Sequence, residues 1–459
     1  MAPQINTPLK FTVRRRAPEL IVPAKPTPRE LKPLSDLDDS QGLRRQMWLI
    51  HIYRGHHQKM IDKINPATVI RKALGKLLVF YYPFAGRLKE GPKNKLMVDC
   101  SGQGVLFVEA DADVTFEQFG YPLLPPFPCI DEFLYDPEES SGIVDSPLLV
   151  IQVTRLLCGG FVFALRVNHT MSDATGILQF TIALGEIARG ASTPSTMPVW
   201  QRELLSARYP PRVTCTHHAF DQVVDAPNKV IPNDGVAYKS FFFGPNELST
   251  LRGLAPAHLK NCSTFDLLTA YLWRCRTIAL QPDPKDDMRI IFAIDARLKL
   301  KSFIPTGFYG NVVAIVGATS TARDLTKEPL SHALELVMKA KYDVNEEYMR
   351  SLVDLMVIKD RPHFTLVRSF FVSDITRAGM DIVDFGWGKA AYGGPAFGAN
   401  EFASFYLPFA NNKSEYGIAV GICLPSATME KFVEELNSIS MQNSNNQDDD
   451  NKLRVLSKL

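Results

Sequence analysis

The spacing of apolar residues changes abruptly inside FALRVNHTMSDATGILQF, Phe163 to Phe180. Up to Asn168, apolar residues alternate with polar or small ones, which predicts a strand. From Asp173 they recur at helical spacing, which predicts a helix to about Ala188 that stops at Gly190. NPATVIRKALGKLLVFYYP carries apolar pairs at 69/70, 73/74 and 77/78, an amphipathic helix entered through Asn65 and Pro66. KLMVDC and VLFVEA flank SGQG and predict a β-hairpin; PLLVIQVTRLLCGGFVFALRVNH predicts a second strand pair turning at Gly159-Gly160. STFDLLTAYLWRCRTIAL starts a helix with Ser263 and Asp266 in capping-box order. MRIIFAIDARLKL, ASFYLPFA and YGIAVGICLP read as strands, and SATMEKFVEELNSIS as a closing helix.

Two breaks divide this pattern. Pro-rich VPAKPTPRELKPLS (22–35) reads as an extended lead-in, and the polar stretch 198–234, with Tyr209-Pro210-Pro211 inside it, reads as a crossover. The expected organisation is therefore a domain over 1–197, a crossover loop over 198–234, a domain over 235–440 and a disordered polar tail over 441–459. A length of 459 residues, more than one core usually supports, agrees with two domains. Strands and helices mix in both halves, so the expected fold class is α/β, two similar-sized sheet layers covered by helices.

Apolar residues make up 46% of the chain and charged ones 22%, the balance of a soluble globular protein. The net charge of +2 gives no general pull towards nucleic acid or anionic membrane, and runs such as Arg14-Arg15-Arg16 read as solvated arms. No apolar stretch approaches a membrane span, and MAPQINTPLKFTVRRR has no signal-peptide core. The sequons at Asn168, Asn261 and Asn412 therefore read as chance matches. Seven scattered cysteines, none in a Cys-x-x-Cys pair, predict reduced thiols. His56-His57 and His217-His218 lack carboxylates or cysteines at ligand spacing, so no metal is expected.

His169 is the candidate for chemistry. It lies where a strand ends and a helix begins, a place from which a side chain can face a cleft while rigid elements hold it. The positive end of the following helix disfavours imidazolium and keeps the ring available as a base. Asp173, four residues on, invites a Ser-His-Asp reading, but no Gly-x-Ser-x-Gly elbow completes it. From periodicity alone, a satisfied core histidine is the alternative.

His169-Thr170-Met171-Ser172-Asp173 resembles the HxxxD signature of the plant BAHD acyltransferases, acyl-CoA-dependent enzymes, and Asp384-Phe385-Gly386-Trp387-Gly388 matches their DFGWG. The order, the spacing and nearly the whole chain fit, with YYPFAGRLKEG, LMVDCSGQGVLFVEADADVTFEQFG and VDFGWGKAAYGGPA similar to the branch of benzyl alcohol O-benzoyltransferases and fruit-ester alcohol acyltransferases. The resemblance implies a two-domain, chloramphenicol-acetyltransferase-like fold with a channel between the domains, in which CoA and the alcohol enter from opposite faces. It implies that His169 takes the alcohol's proton during direct transfer in a ternary complex, with acyl-CoA a co-substrate and no cofactor. Asp173 would pair with Arg297 and hold the histidine loop. Asp384, Gly386, Trp387 and Gly388 would form a supporting turn, with a part for Trp387 in the oxyanion environment left open. CoA contacts would fall at Ser263, Thr264, Tyr309, Asn311, Ser373 and Asp374.

The branch implies benzoyl-CoA and benzyl alcohol as substrates and benzyl benzoate as product, in a monomeric enzyme. The acceptor pocket is expected to involve Trp48, His51, Phe397 and Phe402, where MWLIHIYR and GGPAFGANEFASFY depart from the branch. Another small alcohol, an alkaloid alcohol, acetyl-CoA as donor, or thioester hydrolysis are the alternatives. Ser457-Lys458-Leu459 matches the peroxisomal address read by the import receptor. A peroxisomal enzyme would meet benzoyl-CoA at its source and feed benzoate-derived metabolism such as salicylate; a cytoplasmic location is the alternative.

Overall fold

The computed structural model describes residues 9–55, 64–137, 142–223, 235–411, 414–442 and 455–456; His56-His57, Asn412 and Ser457-Lys458-Leu459 lie outside them. The first sheet contains β1 (Val13–Arg15), β2 (Glu19–Ile21), β4 (Gln46–Tyr53), β7 (Val105–Ala112), β8 (Leu149–Arg155), β9 (Phe161–Asn168) and β14 (Tyr392–Pro395). Its order is β1-β7-β8-β9-β4-β14, with β2 also paired to β7. The central strands β8 and β9 are antiparallel, Leu149 opposite Val167. Every residue of β9 is buried, because the sheet is covered on both faces. One face carries α1 (Pro66–Leu77), whose cap Asn65 Oδ1 accepts from the Ala67 amide at 2.9 Å, and α3 (Ala174–Ala188). On the other, Ile50, Ile52 and Val162 meet Phe133 of α2 (Ile130–Phe133) and Phe119.

The second sheet has the order β12-β11-β13-β15-β16-β10-β17. Its strands are β10 (Val236–Phe243), β11 (Asp287–Asp295), β12 (Val313–Thr321), β13 (Ser369–Asp374), β15 (Ala403–Ala410), β16 (Tyr416–Pro425) and β17 (Val455–Leu456). α4 (Pro245–Gly253), α5 (Thr264–Leu280), α6 (Ala322–Lys327), α7 (Leu330–Tyr342), α8 (Glu346–Ile358) and α9 (Ser426–Gln442) accompany it, and α5 lies deepest, with Trp273 and Tyr271 buried in the core. The α/β class with two sheet layers under helices is thus present, joined by a small third sheet, β3 (Leu31–Pro33), β6 (Leu96–Asp99) and β5 (Arg87–Glu90), in the order β3-β6-β5.

Three expectations are corrected. The segment 95–110 is not a hairpin: β6 pairs with β3 and β5, whereas β7 pairs in parallel with β8. At Gly104, with φ +101°, a Cβ would stand 2.7 Å from the Ile21 carbonyl, so SGQG is a tight passage between two sheets. The crossover, where it is described, packs inward: Leu205, Ala219 and Phe220 enter the second core. The boundary at 235 does not separate the halves in space, because β14 pairs with β4 and Phe385 and Trp387 lie in the first core. Beyond 440, α9 continues to Gln442 and Val455–Leu456 pairs with β10, in place of an unbroken disordered tail.

Candidate active site

The turn after β9 is held from three directions. The His169 amide donates to the Arg45 carbonyl at 2.9 Å, and Asn311 Nδ2 donates to the His169 carbonyl at 2.9 Å. Asn168 Oδ1 accepts from the Thr170 amide at 3.1 Å and hydroxyl at 2.7 Å, closing the turn on itself. Asp173 ends the turn and caps α3, accepting from the Gly176 amide at 2.9 Å. Gly176 is required by contact: a Cβ there would lie 2.2 Å from the Tyr309 carbonyl and 2.4 Å from Ser172 Oγ.

The same Asp173 carboxylate also reaches the second half of the molecule. Arg297 grips it with Nη1 on Oδ2 at 2.9 Å and Nη2 on Oδ1 at 3.0 Å, a two-pronged pair, while the Val312 amide donates to Oδ2 at 2.9 Å. Asp173 thus ties the histidine turn to β11 and β12. Asp173→Asn, which keeps the shape and loses the charge, is expected to destabilise the protein by about 1.5–3 kcal/mol, the value of hydrogen bonds to a charged group. A thermal unfolding midpoint unchanged from wild type would contradict this.

His169 lines a cavity of about 350 Å³ that draws its wall from both halves of the molecule. Leu43, Met47 and Trp48 come from the first, Val313, Leu352, Met356, Phe371 and Phe405 from the second. Polar lining is sparse: Arg45, Gln46, Asp173, Ser373 and Asn400 are among it. Nδ1 of His169 is buried and completes no hydrogen bond. Burial lowers the ring's pKa below that of a free imidazole, and the Arg45 charge lowers it further. The ring's own backbone, Asp173 and the Asn311 side chain act in the opposite direction without reversing the result. The ring is therefore neutral at cellular pH, able to accept a proton in a largely apolar enclosure.

A family model described as the transferase family matches residues 10–439. The chain is 59% identical over 438 residues to benzyl alcohol O-benzoyltransferase of Nicotiana tabacum, covering 95% of each. This chain belongs to the BAHD acyltransferase family. It is also 50% identical over 456 residues to alcohol acyltransferase 1 of Actinidia chinensis var. chinensis, covering 98% of each. Among solved structures, vinorine synthase superposes with a TM-score of 0.70 at 21% identity, covering 93% of this chain and 98% of that one, a likeness of fold.

The BAHD signature residues divide by place. His169 and Asp173 are at the cavity; the DFGWG turn is not on its wall. Asp384 Oδ1 accepts from the Gly386 amide at 2.7 Å and the Gly388 amide at 2.8 Å, with both glycines at positive φ, which makes the pentapeptide a self-closed loop. Trp387 sets its ring edge-on to Phe161, 5.3 Å between centroids, inside the first core. Trp48 and Phe397 line the cavity, as does Ser373. His51 does not: it is buried behind the wall against Phe163, and burial holds its pKa at about 4 although the nearby Met380 backbone favours the protonated ring. Phe402 is outside the wall as well. Tyr309 and Asn311 are buried beneath the histidine turn and offer no surface to a ligand. Ser263 caps α5 and its hydroxyl accepts from Lys341 Nζ at 2.9 Å; with Thr264 it lies outside the cavity, and Asp374 is engaged with Thr376. Among the described residues no group of His, Cys, Asp or Glu could hold a metal ion.

Sequence reasoning missed the support beneath this site. Asp38 Oδ1 accepts from Arg202 Nη1 at 2.9 Å, from the Asn311 amide at 3.0 Å and from Asn311 Nδ2 at 2.8 Å. Arg202 Nη2 donates to the Met171 carbonyl at 2.8 Å, and its guanidinium lies 4.4 Å from the Trp200 ring and 5.0 Å from that of Tyr309. In SDLDDS, Asp38 has the look of a solvated acidic run, and Arg202 of a polar loop residue.

Proposed function

We propose that this chain is an alcohol O-acyltransferase that passes a benzoyl group from benzoyl-CoA to benzyl alcohol, with His169 as general base. The observation that carries this reading is a neutral histidine on the wall of a mostly apolar cavity, in a chain 59% identical to a benzyl alcohol O-benzoyltransferase. As the hydroxyl oxygen attacks the thioester carbonyl, its proton moves to the neutral imidazole of His169. The C–S bond then breaks, and the imidazolium returns the proton to sulfur. A thiol with a pKa of about 8.5 leaves with little acid assistance. No acyl-enzyme is formed. Flat, uncharged rings suit a wall of leucine, methionine and aromatic side chains, with Trp48 and Phe397 on the acceptor side. Asp173, Arg297 and the DFGWG loop act as supports.

For CoA we propose contacts at Ser263 and Thr264, at the start of α5, with Ser373 nearer the thioester. The enzyme acts as a monomer and needs no cofactor. The test is CoA release from benzoyl-CoA by purified protein with and without benzyl alcohol. Release that requires alcohol and yields benzyl benzoate supports the reading; equal release without it makes the protein a thioesterase.

We propose a peroxisomal location from Ser457-Lys458-Leu459, in which a fluorescent protein fused at the N-terminus is expected in peroxisomes. Deleting Ser457-Lys458-Leu459 should leave it in the cytoplasm. An unchanged distribution would exclude the tripeptide as the address.

A further inference from the structure

Among the described residues, one charge on the cavity wall has no ion-pair partner. Arg45 lines it together with His169, whose amide donates to the Arg45 carbonyl at 2.9 Å, and its side chain is exposed to solvent. Its side chain makes no hydrogen bond or ion pair among the described residues. The nearby carboxylates are engaged elsewhere. Asp39 holds both Arg44, at 2.6 Å, and Arg361, at 2.7 Å. Asp36 is taken by Lys95 at 2.5 Å, Asp38 by Arg202, and Asp173 by Arg297. An unengaged guanidinium on the cavity wall is a planar fork of donors, the group best matched to a carboxylate.

We propose that Arg45 is a specificity residue that receives the carboxylate of an acceptor, so that aromatic alcohols carrying a carboxylate form a second acceptor class beside benzyl alcohol. This rests on the reading of the cavity as the acyl-transfer site. Benzoyl has no anion to offer. The phosphates of CoA lie a full pantetheine arm from the thioester, whereas Arg45 adjoins the histidine turn, its carbonyl accepting from the His169 amide at 2.9 Å, and shares the cavity wall with His169. An acceptor is thus the substrate that can place an anion there while its hydroxyl meets His169. The same charge repels protonated amines, which sets the cavity against cationic alkaloid alcohols.

The test compares 3- and 4-(hydroxymethyl)benzoate with their neutral methyl esters, using benzoyl-CoA as donor. Wild-type enzyme is expected to benzoylate at least one of the carboxylates. Arg45→Met should lower the ratio of kcat/KM for that carboxylate to kcat/KM for its methyl ester at least tenfold, and Arg45→Lys should restore part of the loss. In wild type, added salt should raise KM for the carboxylate more than for the ester, a readout that needs no variant. The proposal is overturned if wild type esterifies the methyl esters but neither carboxylate, or if the ratio in Arg45→Met stays within twofold of wild type. A rise in KM for benzoyl-CoA of equal size with every acceptor would place Arg45 on the CoA side and overturn it too. Failure to turn over any alcohol would instead sink the acyl-transfer reading itself.

Discussion

Replacing His169 by alanine is expected to lower kcat for alcohol-dependent CoA release by about 10²–10⁴-fold, the range a positioned general base contributes. The fold should survive, because the turn is held through the backbone of residue 169 and through Asn168, Asp173 and Asn311, not through the imidazole. KM for benzoyl-CoA should change little, since the lost interaction is made in the transition state. The pH profile gives an independent readout. The folded-state pKa of His169 lies below the ordinary 6.5, so the base stays unprotonated as pH falls through 6.5 and the acid limb of kcat/KM appears only below that value. His51 and His217, both held near 4 by burial, set a second and separable loss. Each is neutral when folded and protonates first in the unfolded chain, so the stability they contribute is present above pH 6.5 and declines as pH falls towards 4. Activity should therefore be followed alongside near-ultraviolet circular dichroism. An acid limb at or above pH 6.5 with the fold intact would contradict a neutral, buried base.

Asp38→Ala is expected to cost about 3–5 kcal/mol, the penalty for stranding a buried charge. Arg202 would lose its counter-ion while only 1% exposed, and Asn311 would lose the acceptor for both its amides. Because Asn311 carries the His169 carbonyl, the drop in thermal midpoint should come with a fall in kcat even at temperatures where the protein remains folded. Combining Asp38→Ala with Arg202→Met should recover part of the lost stability, since the uncompensated cation is then gone. A double variant less stable than Asp38→Ala alone would show that Arg202 is anchored chiefly by the aromatic rings and the Met171 carbonyl.

Much of the local structure was legible because it depends on neighbours in the chain. Asn65-Pro66 starts α1, Ser263 and Asp266 form the capping box of α5, and Gly159-Gly160 turns β8 into β9, each set by hydrogen bonds and backbone torsions within a few residues. The junction at His169 was visible for the same reason, as a change of apolar period, but the residue's part in chemistry came from the family resemblance. Its pairing Asp173–Arg297 came only from resemblance, since 124 residues separate the two.

What the sequence determined by itself was therefore the set of elements, their caps and the junction that carries the histidine, all consequences of short-range sterics and periodicity. Tertiary structure decided which strands met, sending β6 and β7 to different sheets and β14 back to β4. It decided that His51 faces a core while Trp48, on the same strand, reaches the cavity. It also decided that Asp38 is buried with Arg202 while Arg45 has no ion pair among the described residues. Burial and charge pairing depend on what arrives from hundreds of residues away, and neither leaves a period in the chain.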